Sequence, residues 1–145
     1  MRRTSHEAGT VHRVVVQSKA LANNLLGDQT SRIVDVYIPH GHTGAGLPLL
    51  VDLVGYTAGG PAHTNWKAFG ENVPERLDRL IGEGAMPPVA VAFPDCFSQL
   101  GGNQYVNSAA VGNSRNPKWS DCSRIRSTSA RSSSVVKSTL VSSKE

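Results

Sequence analysis

The stretch Leu47-Pro48-Leu49-Leu50-Val51-Asp52-Leu53-Val54 decides the fold class of this chain. It is close to a continuous apolar run, which is typical of a strand covered on both faces in a parallel sheet. A second apolar run, Val89-Ala90-Val91-Ala92-Phe93, lies further along between prolines. We therefore predict a central strand at Leu47–Val54 and a second, parallel strand at Val89–Phe93, both in one α/β sheet.

The segment between the two runs has the pattern of a helix. Its apolar residues recur at helical spacing with charged residues between them; they are Phe69, Val73, Leu77, Leu80 and Ile81. Pro74 stands at the start of the pattern and Gly82 follows its end, the usual punctuation of a helix. The sequence predicts an amphipathic helix from about Pro74 to Ile81, and with it a parallel crossover of strand, loop, helix and strand.

Two further strands precede the first apolar run. Val11–Gln17 is rich in β-branched residues, and Ser31–Ile38 alternates with period two until Pro39 stops it. These patterns predict two half-buried antiparallel strands. Lys19–Asp28 ends in a Gly-Asp turn signal, and we expect it to form the excursion that connects them.

The composition changes along the chain. Residues 1–112 carry eight Lys or Arg and nine Asp or Glu, a net charge of −1, whereas residues 113–145 carry seven and two, a net charge of +5. The second segment has no glycine and is crowded with serine. Its few apolar residues cannot offset the entropy lost on ordering a chain. We predict a flexible N-terminus at 1–10, a folded domain at 11–112 and a disordered Ser/Arg-rich tail at 113–145.

Several protein classes are excluded by composition. No apolar run approaches the roughly 20 residues that cross a bilayer, and no signal-type segment follows Met1, so we expect a cytoplasmic protein. Cys96 and Cys122 are the two cysteines of the sequence. They are too few for a disulfide scaffold or a four-thiolate zinc site, and we expect Cys96 to be a buried thiol. His40, His42 and His63 lack the spacing of a metal site. We predict no metal and no cofactor.

Four motifs carry a resemblance to a known family. They are Arg32–Pro39, Asp52–Thr57, Phe93–Phe97 and Leu100–Ser108. In this order they resemble the esterase family of α/β-hydrolases that contains enterochelin-esterase-like proteins, S-formylglutathione hydrolase (esterase D) and the mycolyltransferases. The resemblance covers roughly residues 11–112. It implies the N-terminal half of an α/β-hydrolase sheet, antiparallel in its first strands and then parallel, and an ester-hydrolysing parent that acts on small-molecule esters.

The family's chemistry needs a nucleophilic serine on a Gly-x-Ser-x-Gly turn, followed along the chain by an acid and a histidine. The sequence contains no such motif; its nearest match, Gly112–Asn116, lacks the second glycine, and no histidine follows His63. We therefore assign no catalytic residue and expect this chain to be inactive. What the resemblance leaves is one half of an oxyanion hole, with the backbone N–H of Val54 or Gly55 as the donor.

Three side chains are candidates for lining a substrate cleft: Tyr56, His63 and Asp95. Asp95 follows a strand whose carboxyl end faces the ligand-binding edge of an open α/β sheet. The alternative, which we favour for Asp95, is a cap on the following turn through an Asx hydrogen bond. For His63 the alternative, which we also favour, is an exposed polar residue. Trp66 is expected to pack in the core.

The change in composition near Val111–Asn113 predicts a truncated or frameshifted member of the esterase family. The alternative interpretation is a non-catalytic binding module whose basic tail contacts nucleic acid or a protein partner. Nucleic acid is the weaker option, because no aromatic residue beyond Trp119 is available in the tail for base stacking. A half sheet leaves apolar area uncovered, so we also predict self-association or aggregation of the chain.

Overall fold

The computed structural model describes residues 6–18, 21–22 and 24–102. Within them the chain forms four strands and two helices. In chain order these are β1 (Thr10–Gln17), β2 (Ser31–Ile38), β3 (Leu49–Val51), α1 (Pro61–Thr64), α2 (Val73–Gly82) and β4 (Ala90–Pro94). The strands lie side by side in one mixed sheet in the order β1-β2-β4-β3.

The sheet is antiparallel on one side and parallel on the other. β1 and β2 pair antiparallel along their whole length, from Thr10 opposite Ile38 to Gln17 opposite Ser31. β2 pairs antiparallel with β4, and β3 pairs parallel with β4. The predicted antiparallel pair and the predicted parallel crossover through a helix are both confirmed.

The position of β3 differs from the sequence prediction. Only Leu49–Val51 of the predicted strand Leu47–Val54 pairs with β4, and β3 lies at the end of the strand order rather than at its centre. Leu50 is 52% exposed. The central strand is β4, which pairs with β2 on one side and with β3 on the other, and all five of its residues are buried. The predicted central position was wrong. An apolar run indicates that a segment prefers to be buried, but it does not indicate whether the described residues place a paired strand on each side of it.

Helix α2 begins with a complete capping box. The side chain of Asn72 accepts a hydrogen bond from the backbone N–H of Glu75, and the Glu75 carboxylate accepts one from the backbone N–H of Asn72. These contacts satisfy two of the N–H groups that a helix start leaves unpaired. The predicted helix is confirmed. Phe69, however, precedes the helix and is fully exposed.

The core forms where α2 packs on the sheet. Its buried members are Tyr37, Leu77, Val89, Val91 and Phe93. Burying an apolar side chain of this size contributes roughly 1.5–3 kcal/mol, so this cluster stabilises the packing of α2 on the sheet. The helix therefore fixes β4 and the loops that leave its carboxyl end.

Some predictions fall on residues that the structure does not describe. The predicted disorder of 113–145, the motif at Gly112–Asn116, and Cys122 all lie outside the described residues. In the described part of the chain, no helix has the length and apolar character to span a membrane.

Candidate functional site at the carboxyl edge of the parallel strands

Two carboxylates follow the ends of the two parallel strands. Asp52 comes directly after β3, and its backbone N–H donates to the carbonyl oxygen of Ala92 on β4 over 2.9 Å. Asp95 comes directly after β4. Because parallel strands end at the same edge of a sheet, the loops that begin with these residues meet there. This is the edge at which open α/β sheets bind ligands.

The loop after β3 returns to β4 because its glycines permit close approach. A Cβ atom on Gly60 would lie 2.7 Å from the carbonyl oxygen of Phe93 and 2.8 Å from that of Pro94. A Cβ atom on Gly59 would lie 2.8 Å from Oδ1 of Asp95. Contacts this short with backbone carbonyls exclude a side chain at Gly60, whereas the atom nearest to Gly59 belongs to the Asp95 side chain. Gly60 thus allows the start of α1 to lie directly against the end of β4.

The loop after β4 forms the opposite side of the site. The hydroxyl of Tyr56 donates a 3.1 Å hydrogen bond to the carbonyl oxygen of Leu100. Gly102 is buried against the backbone of Tyr56, where a Cβ atom would overlap the Tyr56 carbonyl. The two loops are therefore packed backbone to backbone beyond the sheet edge.

His63 lies on α1 and is oriented by Asp52. Nδ1 of His63 is 2.5 Å from Oδ2 of Asp52. The side chains are 34% and 24% exposed, so both reach solvent. The carbonyl oxygen of Thr64 accepts a hydrogen bond from the side chain of Asn72, the N-cap of α2, over 3.1 Å. The imidazole is thus oriented by Asp52, and the Asn72 contact ties the end of α1, on which His63 lies, to the start of α2.

The remaining predicted site residues lie in the same region with different exposure. Val54 is buried and Gly55 is exposed. Tyr56 is 48% exposed, so its ring contributes to the surface of the loop. Asp95 accepts a 3.2 Å hydrogen bond from the backbone N–H of Phe97. This is the Asx contact that the sequence favoured, and it orients the carboxylate toward its own turn.

The sequence analysis did not predict the hydrogen bonds that hold the loop after β4 from its other side. A guanidinium N–H of Arg32, at the start of β2, donates to the carbonyl oxygen of Phe97 over 2.5 Å. The carboxylate of Asp28 accepts from the backbone N–H of Gln99 over 2.9 Å. The excursion between β1 and β2 therefore holds the loop that faces Tyr56. These contacts could not be predicted, because residue type and local spacing do not indicate a hydrogen-bond partner some 70 positions away in the sequence.

The predicted burial of Trp66 and that of Cys96 have opposite outcomes in the structure. Trp66 is 78% exposed, so its predicted place in the core was wrong. It lies in the loop between α1 and α2, where the hydrogen bond from the Asn72 side chain to the Thr64 carbonyl oxygen joins the two helices. Cys96 is buried, as predicted.

No group of three or more His, Cys, Asp or Glu side chains within the described ranges is arranged to hold a metal ion. His40, which lies in the loop after β2, pairs through Nε2 with Glu7 over 2.9 Å. The chemistry that the edge offers is therefore that of backbone N–H groups, two carboxylates and one oriented imidazole.

Comparison with solved structures reveals a similar fold. The chain is similar to the CE1 ferulic acid esterase AmCE1/Fae1A from Anaeromyces mucronatus in complex with ferulic acid, with a TM-score of 0.52 and 16% identity over 74% of this chain and 35% of that one. It is equally similar to the same enzyme in the absence of substrate, with a TM-score of 0.52 over 36% of that chain. The chain thus spans about a third of the length of these structures. No protein-family model and no curated protein matches the sequence.

These likenesses concern the fold. The mixed sheet of four strands and its helices resemble part of an esterase structure, which agrees with the fold class expected from the motifs. The narrower family of enterochelin-esterase-like proteins remains a prediction.

Proposed function

We propose that this chain carries the oxyanion side of an ester-binding cleft of the α/β-hydrolase type, without the nucleophile that would make it a catalyst. Its ligands would be small-molecule carboxylic esters. The backbone N–H of Val54 or Gly55 would donate to the carbonyl oxygen of the ligand, and Tyr56, His63 and Asp95 would line the cleft.

The observation that carries this proposal is the packing of Gly60 on the end of β4. It brings the loop that contains Val54 and Gly55 back over the carboxyl edge of the two parallel strands. Gly55 is exposed there, beside the exposed ring of Tyr56. Backbone N–H groups held rigidly in a loop stabilise an oxyanion because they need no rearrangement when charge develops. The likeness in fold to a ferulic acid esterase supports the ester class of ligand.

The proposed inactivity comes from the sequence. One oxyanion donor stabilises a tetrahedral intermediate only where a nucleophile forms one, and a serine nucleophile needs a base within hydrogen-bond reach. The chain contains no Gly-x-Ser-x-Gly turn, and none of its histidines follows His63. A serine on a Gly-x-Ser-x-Gly turn followed by an acid and a histidine, the arrangement that the α/β-hydrolase architecture uses, is therefore absent from this sequence.

Methyl ferulate is the probe that tests both halves of the proposal. In ¹⁵N–¹H correlation spectra we expect its addition to shift the amide signals of Val54, Gly55 and Tyr56, with no release of ferulate above that of a heat-treated sample. Gly84 and Ala85, which lie between α2 and the amino end of β4, serve as internal controls. Shifts spread evenly over the chain would contradict the cleft, and ferulate release abolished by a fluorophosphonate would contradict the inactivity.

We propose in addition that the sequence after Val111–Asn113 derives from a diverted reading frame. The abrupt change to a glycine-free, Ser/Arg-rich composition supports this origin. Translation of the other two frames downstream of codons 108–116 is the test. A Gly-x-Ser-x-Gly motif in one of those frames is expected; its absence from both would overturn the idea.

A further inference from the structure

The Asp52–His63 pair has a chemical consequence beyond lining a cleft. Asp52 presents a carboxylate oxygen to Nδ1 of His63 at 2.5 Å. A carboxylate accepts hydrogen bonds and does not donate them, so Nδ1 must carry the proton. In a neutral imidazole the other nitrogen, Nε2, is then an acceptor with a free lone pair.

The orientation of this lone pair is fixed by the surrounding structure. α1 is held at its start by Gly60 against β4 and at its end by Asn72, which donates to the carbonyl oxygen of Thr64. The His63 side chain is 34% exposed and its Nδ1 faces Asp52, so part of the ring reaches solvent beside that contact. A charged hydrogen bond to Nδ1 leaves the ring little freedom to flip.

The charges at this edge select the kind of ligand. Asp52 and Asp95 follow the two parallel strands; the Asp52 carboxylate faces His63, and the Asp95 carboxylate accepts from the backbone N–H of Phe97 in the adjoining turn. Anionic ligands are disfavoured by such a pair, whereas a neutral ligand with a hydroxyl group supplies the donor that an imidazole acceptor needs. The backbone N–H of Val54 or Gly55, which the proposed function assigns as the oxyanion donor, would face an acceptor on the same ligand.

We propose that His63, positioned by Asp52, binds the hydroxyl group of a neutral alcohol or phenol through Nε2. This inference rests on the proposed function for the location of the cleft, but it assigns a specific contact that the proposed function does not contain. His63 is the residue that touches the ligand, and Asp52 is a positioning residue that sets its tautomer.

The experiment uses the full chain, labelled with ¹⁵N at histidine, at pH 8. Two-bond ¹⁵N–¹H correlation spectra distinguish the two neutral tautomers of each ring. We expect His63 to carry its proton on Nδ1. His40 is the internal control, since its Nε2 faces Glu7 at 2.9 Å and should carry the proton instead.

Phenol and anisole are the matched ligand probes, because they share a ring and only phenol has a hydroxyl donor. We expect phenol to move the Nε2 resonance of His63 upfield in a saturable manner, with no such change for anisole or at His40. Equal responses to the two probes, no response to either, or a proton on Nε2 of His63 would each overturn the proposal.

Asp52→Asn tests the positioning role. Asparagine keeps the size of the side chain but removes its charge and can present an N–H group to Nδ1, which favours the opposite tautomer. We expect the variant to lose the Nδ1–H form and the phenol response, while its far-ultraviolet circular dichroism is unchanged. A retained phenol response with the tautomer reversed would contradict this role.

The outcomes separate this proposal from the proposed function. If methyl ferulate shifts Val54 and Gly55 while phenol leaves His63 unchanged, the cleft stands and the His63 contact fails. If phenol binds His63 while methyl ferulate leaves the loop unchanged, the hydroxyl contact stands and the ester cleft fails.

Discussion

The hydroxyl of Tyr37 on β2 donates a 2.7 Å hydrogen bond to Oδ1 of Asp78 on α2. The same oxygen accepts a 2.7 Å hydrogen bond from the backbone N–H of Gly9. Tyr37 and Asp78 are both buried. A single carboxylate therefore joins the segment before β1, the sheet and the helix that covers it.

Replacing Tyr37 by phenylalanine should destabilise the fold. The change leaves Asp78 with one fewer donor in a buried site, and an unsatisfied buried group costs about 1–3 kcal/mol, more when it is charged. Urea denaturation followed by circular dichroism measures the loss. Tyr56→Phe is the matched control: its hydroxyl bonds Leu100 at an exposed position, and we expect a change within about 0.5 kcal/mol. Equal losses in the two variants would contradict the role of Asp78.

The same pair predicts a dependence of stability on alkaline pH. Burial, and then the hydrogen bond to Asp78, raise the pKa of Tyr37 above that of a free phenol. A folded-state pKa above the unfolded value of about 10 means that the contribution is complete below pH 10 and is lost as the pH rises beyond it. Urea midpoints between pH 8 and 11 should therefore fall more steeply for the wild-type chain than for Tyr37→Phe. Parallel curves would show that Tyr37 does not titrate in this way.

Gly60→Ala should disturb the carboxyl edge. Its Cβ atom would lie 2.7 Å from the Phe93 carbonyl oxygen, so backbone has to move. Overpacking of this kind costs typically about 1–3 kcal/mol. Gly70→Ala is the control, because a Cβ atom there meets nothing within 4 Å. Urea midpoints compare the two, and the amide signals of Val54 and Gly55 should shift only in Gly60→Ala. A Gly60→Ala chain as stable as Gly70→Ala, with unmoved loop signals, would rule out this packing.

Leu50→Lys should reduce association of the chain. Leu50 is 52% exposed on β3, at the end of the strand order, and a charge on an edge strand opposes pairing with another chain. Light scattering coupled to size exclusion gives the mass of each variant. Leu25→Lys adds the same charge at an 81% exposed position in the excursion and should leave the mass unchanged. A similar reduction by both variants would point to net charge rather than to the edge.

Much of the fold follows from local pattern. The alternation in Ser31–Ile38 and the helical spacing around Leu77 each predicted an element that the structure contains. These patterns work because side-chain period and burial are properties of short segments. The motif at Asp52–Thr57 likewise located the loop at the carboxyl edge.

What the sequence did not reveal depends on distant partners. Asp78 is one of the charged residues between the apolar positions of α2, yet it is buried, and Tyr37 and Gly9 donate hydrogen bonds to it. His63 reads as an exposed polar residue, and its orientation becomes visible only when α1 is placed beside the end of β3. Pair contacts of this kind depend on how elements pack, which residue type and spacing do not encode.

Labelling with a fluorophosphonate, read out by intact mass, tests whether the chain lacks a serine nucleophile beside the proposed ester-binding edge. The wild-type chain is incubated with the reagent, and an intact serine esterase is treated in parallel to show that the reagent is active. We expect an unmodified mass for this chain. A stoichiometric adduct on one of its serines, which does not form when the chain is denatured by heat before labelling, would contradict the absence of a nucleophile.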